Sequence, residues 1–465
     1  MNPKLSLTEG SIPRTLLIFS LPILFGNVLQ SLNGSVNSIW VGKYLGEAAF
    51  AATGNSNMVM FLLFASIFGF SMAATVLVGQ CMGAKNIAEA KRVVGTAASF
   101  FLALSLSLSL LGFVFANRLL AWLHTPADAL APAIAYMRII FLALPFMSAI
   151  FFLMAILRGA GDSKTPFIYL VISVLLDILL NPLLIFGWGP VPRLGIAGSA
   201  IATLTAQAVS VIALIVHLYR TNNVLFIHRA EWSLFKVDWS LVRLLVTKGV
   251  PMGLQMFVVS TSMLALTALV NRFGSQETAA FNAAMQLWNY IQMPAMSIAA
   301  AVSSMAAQNV GAERWDRVRF IATTGVAFNF LMGGSLIAVN YLLNREALGL
   351  FLRTGSEAIP IAVHLNALVV WSFLFFGVTI VLFGVVRATG AVIAPLLILV
   401  TSLWFVRVPF AYLLVDTWSA DAIWISFPLS SLLSMLLAIG YYRYGGWREI
   451  RLGVATIRAV PAAGA

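Results

Sequence analysis

The sequence predicts an all-α integral membrane protein with twelve transmembrane helices in two pseudo-symmetric six-helix lobes. Three observations support this prediction. Of the 465 residues, 61% are hydrophobic and only 9% are charged, whereas a soluble chain carries about a quarter charged residues. Twelve apolar runs reach the length of about 20 residues that is needed to cross a bilayer. Short motifs also recur in the two halves of the chain at a nearly constant offset.

The predicted spans begin near the N-terminus and continue almost to the end of the chain. The first run contains Asn27, Gln30, Asn33 and Asn37. The core of a signal peptide would not hold these side chains, so we interpret this run as a retained first span. The twelve predicted spans are 15–40, 56–80, 93–115, 132–156, 166–188, 196–218, 243–270, 281–308, 318–343, 358–383, 392–415 and 421–442.

The distribution of basic residues predicts the orientation. With the N-terminus inside, the inner segments hold 20 of the 28 Lys and Arg residues, the outer segments hold seven, and Arg407 lies within a span. Basic residues accumulate in cytoplasmic loops, so we expect both termini to be cytoplasmic in a multi-pass protein of the cell inner (plasma) membrane. The net charge of +12 is explained in this way and does not indicate nucleic-acid binding.

The same spans predict the domain organisation, which is an N-lobe, a cytoplasmic linker, a C-lobe and a cytoplasmic tail. Each lobe has an even number of spans, so both lobes enter the membrane in the same direction and form parallel repeats around a central cavity. The predicted boundaries of these four parts are 1–218, 219–242, 243–443 and 444–465.

An internal repeat supports the two lobes. We expect its motifs to end helices, because Gly suits a helix C-terminus and Pro opens the next helix. Three pairs recur at offsets of 228 or 229 residues: QCMGA (80–84) with QNVGA (308–312), RGAGDSKTP (158–166) with RATGAVIAP (387–395), and Pro22 with Pro251.

One acidic residue, Asp177, lies deep inside a span, in the stretch VLLDILLNP. A carboxylate at the centre of a membrane helix costs about 2.5–3.5 kcal/mol on insertion scales, so such residues are usually functional. Ser173, Asp177 and Asn181 are spaced four residues apart and share a helical face. In the first span, Asn33 and Asn37 are also four residues apart.

Two polar faces in one lobe predict a water-accessible pocket, because polar groups that faced lipid would be unsatisfied. Burial favours the neutral form of a carboxyl group, whereas hydrogen-bond donors or a bound cation favour its charged form. Such a group can exchange a proton for Na⁺ or for a cationic substrate. The alternative is that Asp177 only ties the fifth span to the first. The predicted cation-coupling residues are Asp177, Asn181, Asn37, Ser173 and Asn33.

Further candidates lie in both lobes. Flexible Met side chains adapt to varied apolar ligands, although ordinary core packing explains them equally well. The predicted substrate-lining residues are Gln30, Gln286, Asn289, Tyr290, Met256 and Met293. Arg407 is almost the counterpart of Asp177 in the second lobe, and we predict a polar network that includes Arg407 and His364. The alternatives are that Arg407 snorkels or bonds backbone carbonyl groups and that His364 is simply hydrogen-bonded.

The sequence resembles bacterial members of the multidrug and toxic compound extrusion (MATE) family over nearly its whole length. The matching segments are LPILFGNVLQSLNGSVNSIWVGKYLGEAAFAATG (21–54), VGQCMGAKNIAEAKR (78–92), LRGAGDSKTP (157–166), LLDILLNPLLIFG (175–187), VPMGLQMF (250–257), AAQNVGAERWDRV (306–318) and VRVPFAYLL (406–414). The resemblance implies alternating access and export of organic compounds driven by inward H⁺ or Na⁺. Many members have Asp where this chain has Asn37, so the paired carboxylates of those members are reduced to one.

These observations predict a secondary active multidrug antiporter that exports amphipathic organic compounds, which we expect to be cationic. Its expected partners are small-molecule drugs and the lipid bilayer, with no nucleic acid and no obligate protein partner. The alternative is a flippase for a lipid-linked precursor, although a flippase would be expected to line its cavity with several Arg residues. We expect no enzymatic activity, no catalytic or metal-binding residues and no cofactor, since the only ion required is the coupling H⁺ or Na⁺.

Overall fold

The computed structural model describes residues 7–45, 47–122, 127–187, 192–353, 355–450 and 452. These residues form α-helices and short 3₁₀ and π segments, with no β-strand among them. The helices of the first half are α1 (Ile12–Leu45), α2 (Glu47–Gly83), α3 (Ile87–Trp122), α4 (Ala127–Gly159), α5 (Lys164–Phe186) and α6 (Ile196–Arg220). Those of the second half are α7 (Trp239–Val270), α8 (Ser275–Gly311), α9 (Trp315–Leu342), α10 (Asn344–Gly349), α11 (Ala358–Val369), α12 (Phe373–Arg387), α13 (Ile393–Val400), α14 (Val408–Trp418) and α15 (Asp421–Tyr444).

The predicted all-α membrane fold is confirmed, because every predicted span falls on a helical segment. Within the described residues, eleven such segments are long and apolar enough to cross a membrane. Two of them combine shorter helices, α11 with α12 and α13 with α14. The predicted eighth span corresponds to α8, which has 37 residues but a more polar composition than the other eleven.

The chain divides into two compact units. One comprises residues 25–250, and the other comprises residues 1–24 together with 251–465. Both divisions fall close to a proline inside a helix, Pro22 in α1 and Pro251 in α7. The predicted lobe and linker boundaries stay a prediction. Most of the predicted tail, 444–465, lies outside the described residues.

The repeated motifs have the same backbone conformation in both halves. Lys85 and Glu313 follow the two Gly-Ala pairs, and each has a φ of 57°. The two R-x-x-G motifs end at Gly161 and Gly390, whose φ values are 90° and 91°. Left-handed residues of this kind end helices by turning the chain back on its last free carbonyl groups. The repeat is therefore present in the backbone as well as in the sequence. Its Gly-Ala and R-x-x-G motifs end helices as predicted, whereas Pro22 and Pro251 lie inside α1 and α7.

The core of the second unit contains a neutral polar network. The indole nitrogen of Trp288 on α8 donates to Asn366 Oδ1 at 2.7 Å. The amide nitrogen of Asn366 donates to Asn340 Oδ1 at 3.1 Å and to Asn344 Oδ1 at 2.8 Å. Since these four residues belong to α8, α9, α10 and α11, the network fixes how these helices pack around the buried aromatic core.

The segment between α6 and α7 folds back along α3. It includes a 3₁₀ helix, Arg229–Phe235. The Lys91 ammonium contacts the Glu231 carboxylate at 2.7 Å, and Arg92 forms an ion pair with Asp238. Ser99 Oγ also donates to the carbonyl oxygen of Phe235 at 2.7 Å. These contacts hold the segment against the start of α3.

Lys91 and Arg92 on α3 lower the pKa values of Glu231 and Asp238. The hydrogen bond from Lys91 holds the pKa of Glu231 below its usual value. Burial acts to raise the pKa of Asp238, but the hydrogen bonds from Arg92 and from two backbone N–H groups lower it overall. Both groups are therefore more acidic in the folded protein than in an unfolded chain.

Because Gly161 and Lys85 both have a positive φ, substitutions at these two positions should change the stability of the protein in opposite directions. Gly161→Ala places a Cβ in a left-handed conformation and should destabilise the protein by about 1–2 kcal/mol. Lys85→Gly removes that strain, although glycine also gives the unfolded chain more conformational entropy. The net effect should be to stabilise the protein by about 0.5 kcal/mol. Thermal unfolding in detergent measures both effects, and equal shifts of the same sign would contradict the backbone assignment.

The ion pairs of Glu231 and Asp238 with α3 should make the stability of the segment 229–238 depend on pH. Because the pKa values of Glu231 and Asp238 are lowered by folding, their stabilising contribution is complete above the unfolded pKa, about 4. It is lost as the pH falls through the folded values. Hydrogen exchange of amides 229–238, corrected for intrinsic rates, should show constant protection from pH 8 to 5 and falling protection below 4. Glu231→Gln should lower the protection at pH 7 and weaken its pH dependence, and an unchanged profile would contradict the assignment.

Candidate functional site

Asp177 on α5 is only 3% exposed and accepts four hydrogen bonds from neutral side chains. On one carboxylate oxygen, Oδ2, the amide nitrogens of Asn33 and Asn37 each donate at 2.9 Å. On the other, Oδ1, Thr203 Oγ1 donates at 3.0 Å and Asn181 Nδ2 at 3.2 Å. A carboxylate offers about four acceptor positions, so these donors nearly saturate it.

The donors come from three helices, which the carboxylate connects. Asn33 and Asn37 lie on α1, Asn181 lies one turn after Asp177 on α5, and Thr203 lies on α6. Asn181 is fully buried and also donates to Asn37 Oδ1 at 2.9 Å. The close approach of α6 to α5 depends on Gly198, where an added Cβ would lie 2.4 Å from the carbonyl oxygen of Leu184.

Three acceptor oxygens on residues that line this cavity or contact the carboxylate are buried with no hydrogen-bond partner among the described residues. They belong to Asn33 Oδ1, Asn181 Oδ1 and Gln207 Oε1. An ionised carboxylate only accepts hydrogen bonds, so each asparagine turns its NH₂ group toward Asp177 and its oxygen away. A buried oxygen without a partner is costly, and a bound cation or a proton donor would satisfy it.

The carboxylate lies at the wall of a cavity of about 390 Å³. Its lining within the described residues contains one carboxylate and no Lys, Arg or His. Gln30, which we predicted to line a substrate pocket, is part of this wall, together with Asn33 and Asn37. Other lining residues are Tyr136, Phe151, Ser199 and Gln207. The cavity therefore combines polar and apolar side chains, is large enough for a small molecule and has Asp177 as the acidic group of its described lining.

The structure brings together four of the five predicted coupling residues. Ser173 is buried one turn before Asp177, but it is not among the four donors to the carboxylate. Thr203 was missed from the sequence. A signal for it was present, because Ser199, Thr203 and Gln207 have the same four-residue spacing on α6 that identified the polar face of α5.

The remaining substrate-lining candidates lie in the second unit. Gln286 and Asn289 are exposed on α8, and Tyr290 is half-buried there. Met256 on α7 is half-buried, whereas Met293 is buried. Their role in contacting substrate stays a prediction.

Arg407 and His364 have separate partners. Arg407 Nε donates to Ser430 Oγ at 2.7 Å, and its guanidinium carbon lies 4.5 Å from the ring centroid of Phe427. Arg407 also ends a π-helical segment, Thr401–Arg407, an arrangement that is rare and often found at functional sites. His364 is exposed and contacts Asp421 at 2.9 Å. The predicted network of Arg407 with His364 therefore has no direct contact between its two members.

Comparison with known proteins identifies the family. The profile of the MatE family matches residues 22–183 and 251–413. The chain belongs to the MatE family. The resemblance found in the sequence is thereby confirmed, and the protein is a multi-pass membrane transporter of this family.

Relatives cover almost the whole chain. The "Probable multidrug resistance protein YoeA" of Bacillus subtilis (strain 168) is 37% identical over 439 residues, which is 94% of this chain and 95% of the relative. The "Probable multidrug resistance protein NorM" of Thermotoga maritima is 24% identical and covers 94% of each chain.

Solved structures show the same fold. The crystal structure of MATE in complex with MaL6 has a TM-score of 0.88 at 19% identity and covers 98% of this chain and 100% of that chain. The bent form of the Vibrio cholerae MATE transporter VcmN has a TM-score of 0.86 at 18% identity, covering 96% and 98% of the two chains. The predicted MATE-like fold is confirmed.

The hydrogen bond from Thr203 to Asp177 should contribute to the stability of the protein. Thr203→Val removes one donor from the carboxylate and should destabilise the protein by about 1.5–3 kcal/mol, the range for hydrogen bonds to charged groups. Thr203→Ser keeps the hydroxyl and serves as the control. Thermal unfolding measures the difference, and equal stability of the two variants would contradict the hydrogen bond.

Proposed function

We propose that this protein exports amphipathic organic cations by alternating access, in exchange for H⁺ or Na⁺. The observation on which the proposal rests is the buried carboxylate of Asp177, held by four neutral donors at the wall of a cavity whose described lining has no basic side chain. The names of the relatives as multidrug resistance proteins support efflux of varied compounds.

A single carboxylate supports exchange. Hydrogen-bond donors favour its charged form, and burial opposes that form. A proton, Na⁺ or a cationic substrate can each neutralise Asp177, but two of them cannot do so at once. Binding of one therefore weakens binding of the other, and this competition couples two opposite fluxes.

The preference for amphipathic cations is supported by an aromatic cluster one helical turn beyond Asn37. The rings of Trp40, Tyr44 and Phe186 lie with centroids 5.3–6.0 Å apart. Aromatic faces attract cations and offer apolar contact area. These rings offer a surface for a flat organic cation outside the described lining of the cavity at Asp177.

A flippase for a lipid-linked precursor is the weaker alternative. Its cargo carries phosphate groups, which basic side chains would have to meet. The described lining of the cavity at Asp177 has none. The negative charge of this cavity thus favours a cationic cargo.

The proposal includes the cellular setting. The excess of basic residues on one side of the predicted spans supports an inner-membrane location with both termini cytoplasmic. Transport driven by an ion gradient needs no cofactor and no obligate protein partner beyond the bilayer. It also needs no nucleic acid and no chemical step on the cargo, so we do not propose an enzyme.

The test is efflux of a fluorescent organic cation from vesicles under an imposed H⁺ gradient and then an imposed Na⁺ gradient. Asp177→Asn keeps the shape of the side chain and removes its charge, so it should reduce gradient-driven efflux at least tenfold. Asp416→Asn, which removes an exposed carboxylate on α14, is the matched control and should transport normally.

The parent protein identifies the ion, because only the gradient of the coupling ion should drive its efflux. Fully coupled efflux in folded Asp177→Asn protein would reduce Asp177 to a structural link between α1, α5 and α6. An equal loss in both variants would show that the effect is not specific to the cavity.

A further inference from the structure

A second cavity of about 390 Å³ lies in the unit formed by residues 25–250, beneath the segment that joins α6 to α7. Helices α3, α4 and α6 form its other walls. Its lining is almost wholly apolar and includes Phe101, Phe152, Ile156, Leu218, Trp232 and Phe235.

Two of the few polar side chains in this lining form local hydrogen bonds. Ser105 Oγ donates to the carbonyl oxygen of Leu102 at 3.1 Å, and Asn223 Oδ1 accepts from the N–H group of Leu225 at 3.1 Å. The cavity therefore presents an apolar surface to any occupant. Its size falls within the range of about 300–1,000 Å³ that is typical of ligand pockets.

Two basic residues, one at each end of the segment 229–236, flank the part of the rim formed by Trp232 and Phe235. Arg229 lies over the ring of Trp232 at 5.8 Å, and Lys236 directly follows Phe235 in the chain. Both basic side chains are exposed, and no acidic group among the described residues lies within 4 Å of either. The two linker acids, Glu231 and Asp238, are instead paired with Lys91 and Arg92 on α3.

The same segment has the composition of a membrane-interface anchor. Trp232 is 60% exposed and Trp239 is 77% exposed. Trp residues concentrate where the hydrocarbon region meets the lipid headgroups, and clusters of basic residues at this level attract anionic lipids. The ion pairs to α3 hold these side chains in one place instead of leaving them on a loose loop.

We propose that this cavity binds an anionic phospholipid from the adjacent leaflet. One acyl chain enters the apolar cavity, and the headgroup lies along the segment 229–236, where Arg229 and Lys236 supply positive charge. This positive charge disfavours the organic cations that we propose as transported cargo, so the site is separate from the cavity at Asp177. It gives the protein a preference for anionic membranes that does not depend on the transported compound.

The test is native mass spectrometry of the whole protein, purified and exposed to equimolar phosphatidylglycerol and phosphatidylcholine with identical acyl chains. The parent should retain phosphatidylglycerol in preference. Arg229→Gln with Lys236→Gln should lower that preference by about fivefold for each charge removed. Arg345→Gln with Arg353→Gln, which removes two exposed charges elsewhere, is the matched control and should leave it unchanged. An unchanged ratio in the first double variant, or an equal fall in both, would overturn the headgroup assignment.

The acyl-chain assignment is tested separately at Ala149, which lines the cavity on α4. Ala149→Phe fills the cavity and should abolish retention of both lipids, whereas Ala149→Ser adds little volume and should retain them. Undiminished retention by folded Ala149→Phe protein would show that the chain binds elsewhere. Displacement of phosphatidylglycerol by the cation rhodamine 6G, added at equal concentration, would assign the cavity to cargo and overturn the proposal.

Discussion

The arrangement of α1, α5 and α6 depends on one constraint, a carboxylate placed where water cannot fully hydrate it. Isolated charges in a low-dielectric interior are very costly, and Asp177 has no basic partner within 4 Å among the described residues. Neutral donors from α1, α5 and α6 supply the stabilisation instead. Each donor helps to compensate the burial of the carboxylate, and those on α1 and α6 also link their helices to α5.

The second unit contains a buried polar network of a different kind. The network around Asn366 is neutral, and its amide donates to two carbonyl oxygens while accepting from an indole N–H group. Such a network rigidifies a core but has no charge to exchange. The two halves therefore have the same helix-ending backbone at Gly161 and Gly390, but the polar networks inside them differ. The only acid that we predicted deep in a span belongs to the first half, and the proposed coupling depends on it.

The sequence predicted the helices well because bilayer thickness leaves little freedom to a long apolar run. It was less informative about interruptions within a span, because the tenth and eleventh predicted spans are divided into α11 and α12 and into α13 and α14 by short 3₁₀ and π segments. At the site, four-residue spacing identified Asp177, Asn181, Asn33 and Asn37, because each pair lies on one helix. Thr203 was missed because its partner lies 26 positions away on another helix, and sequence periodicity gives no information on which helix faces meet.

The asparagine at position 37 determines how much charge this site can exchange. An aspartate there would place a second carboxylate against Asp177, and the two would share a proton because like charges at such a distance cannot both ionise easily. Asn37 instead donates to Asp177 Oδ2 and accepts from Asn181, so it stabilises a single negative charge. A site with one charge neutralises one monovalent cation at a time. Under the proposed mechanism, one H⁺ or one Na⁺ is then exchanged for each monovalent organic cation, and the transport cycle moves no net charge across the membrane.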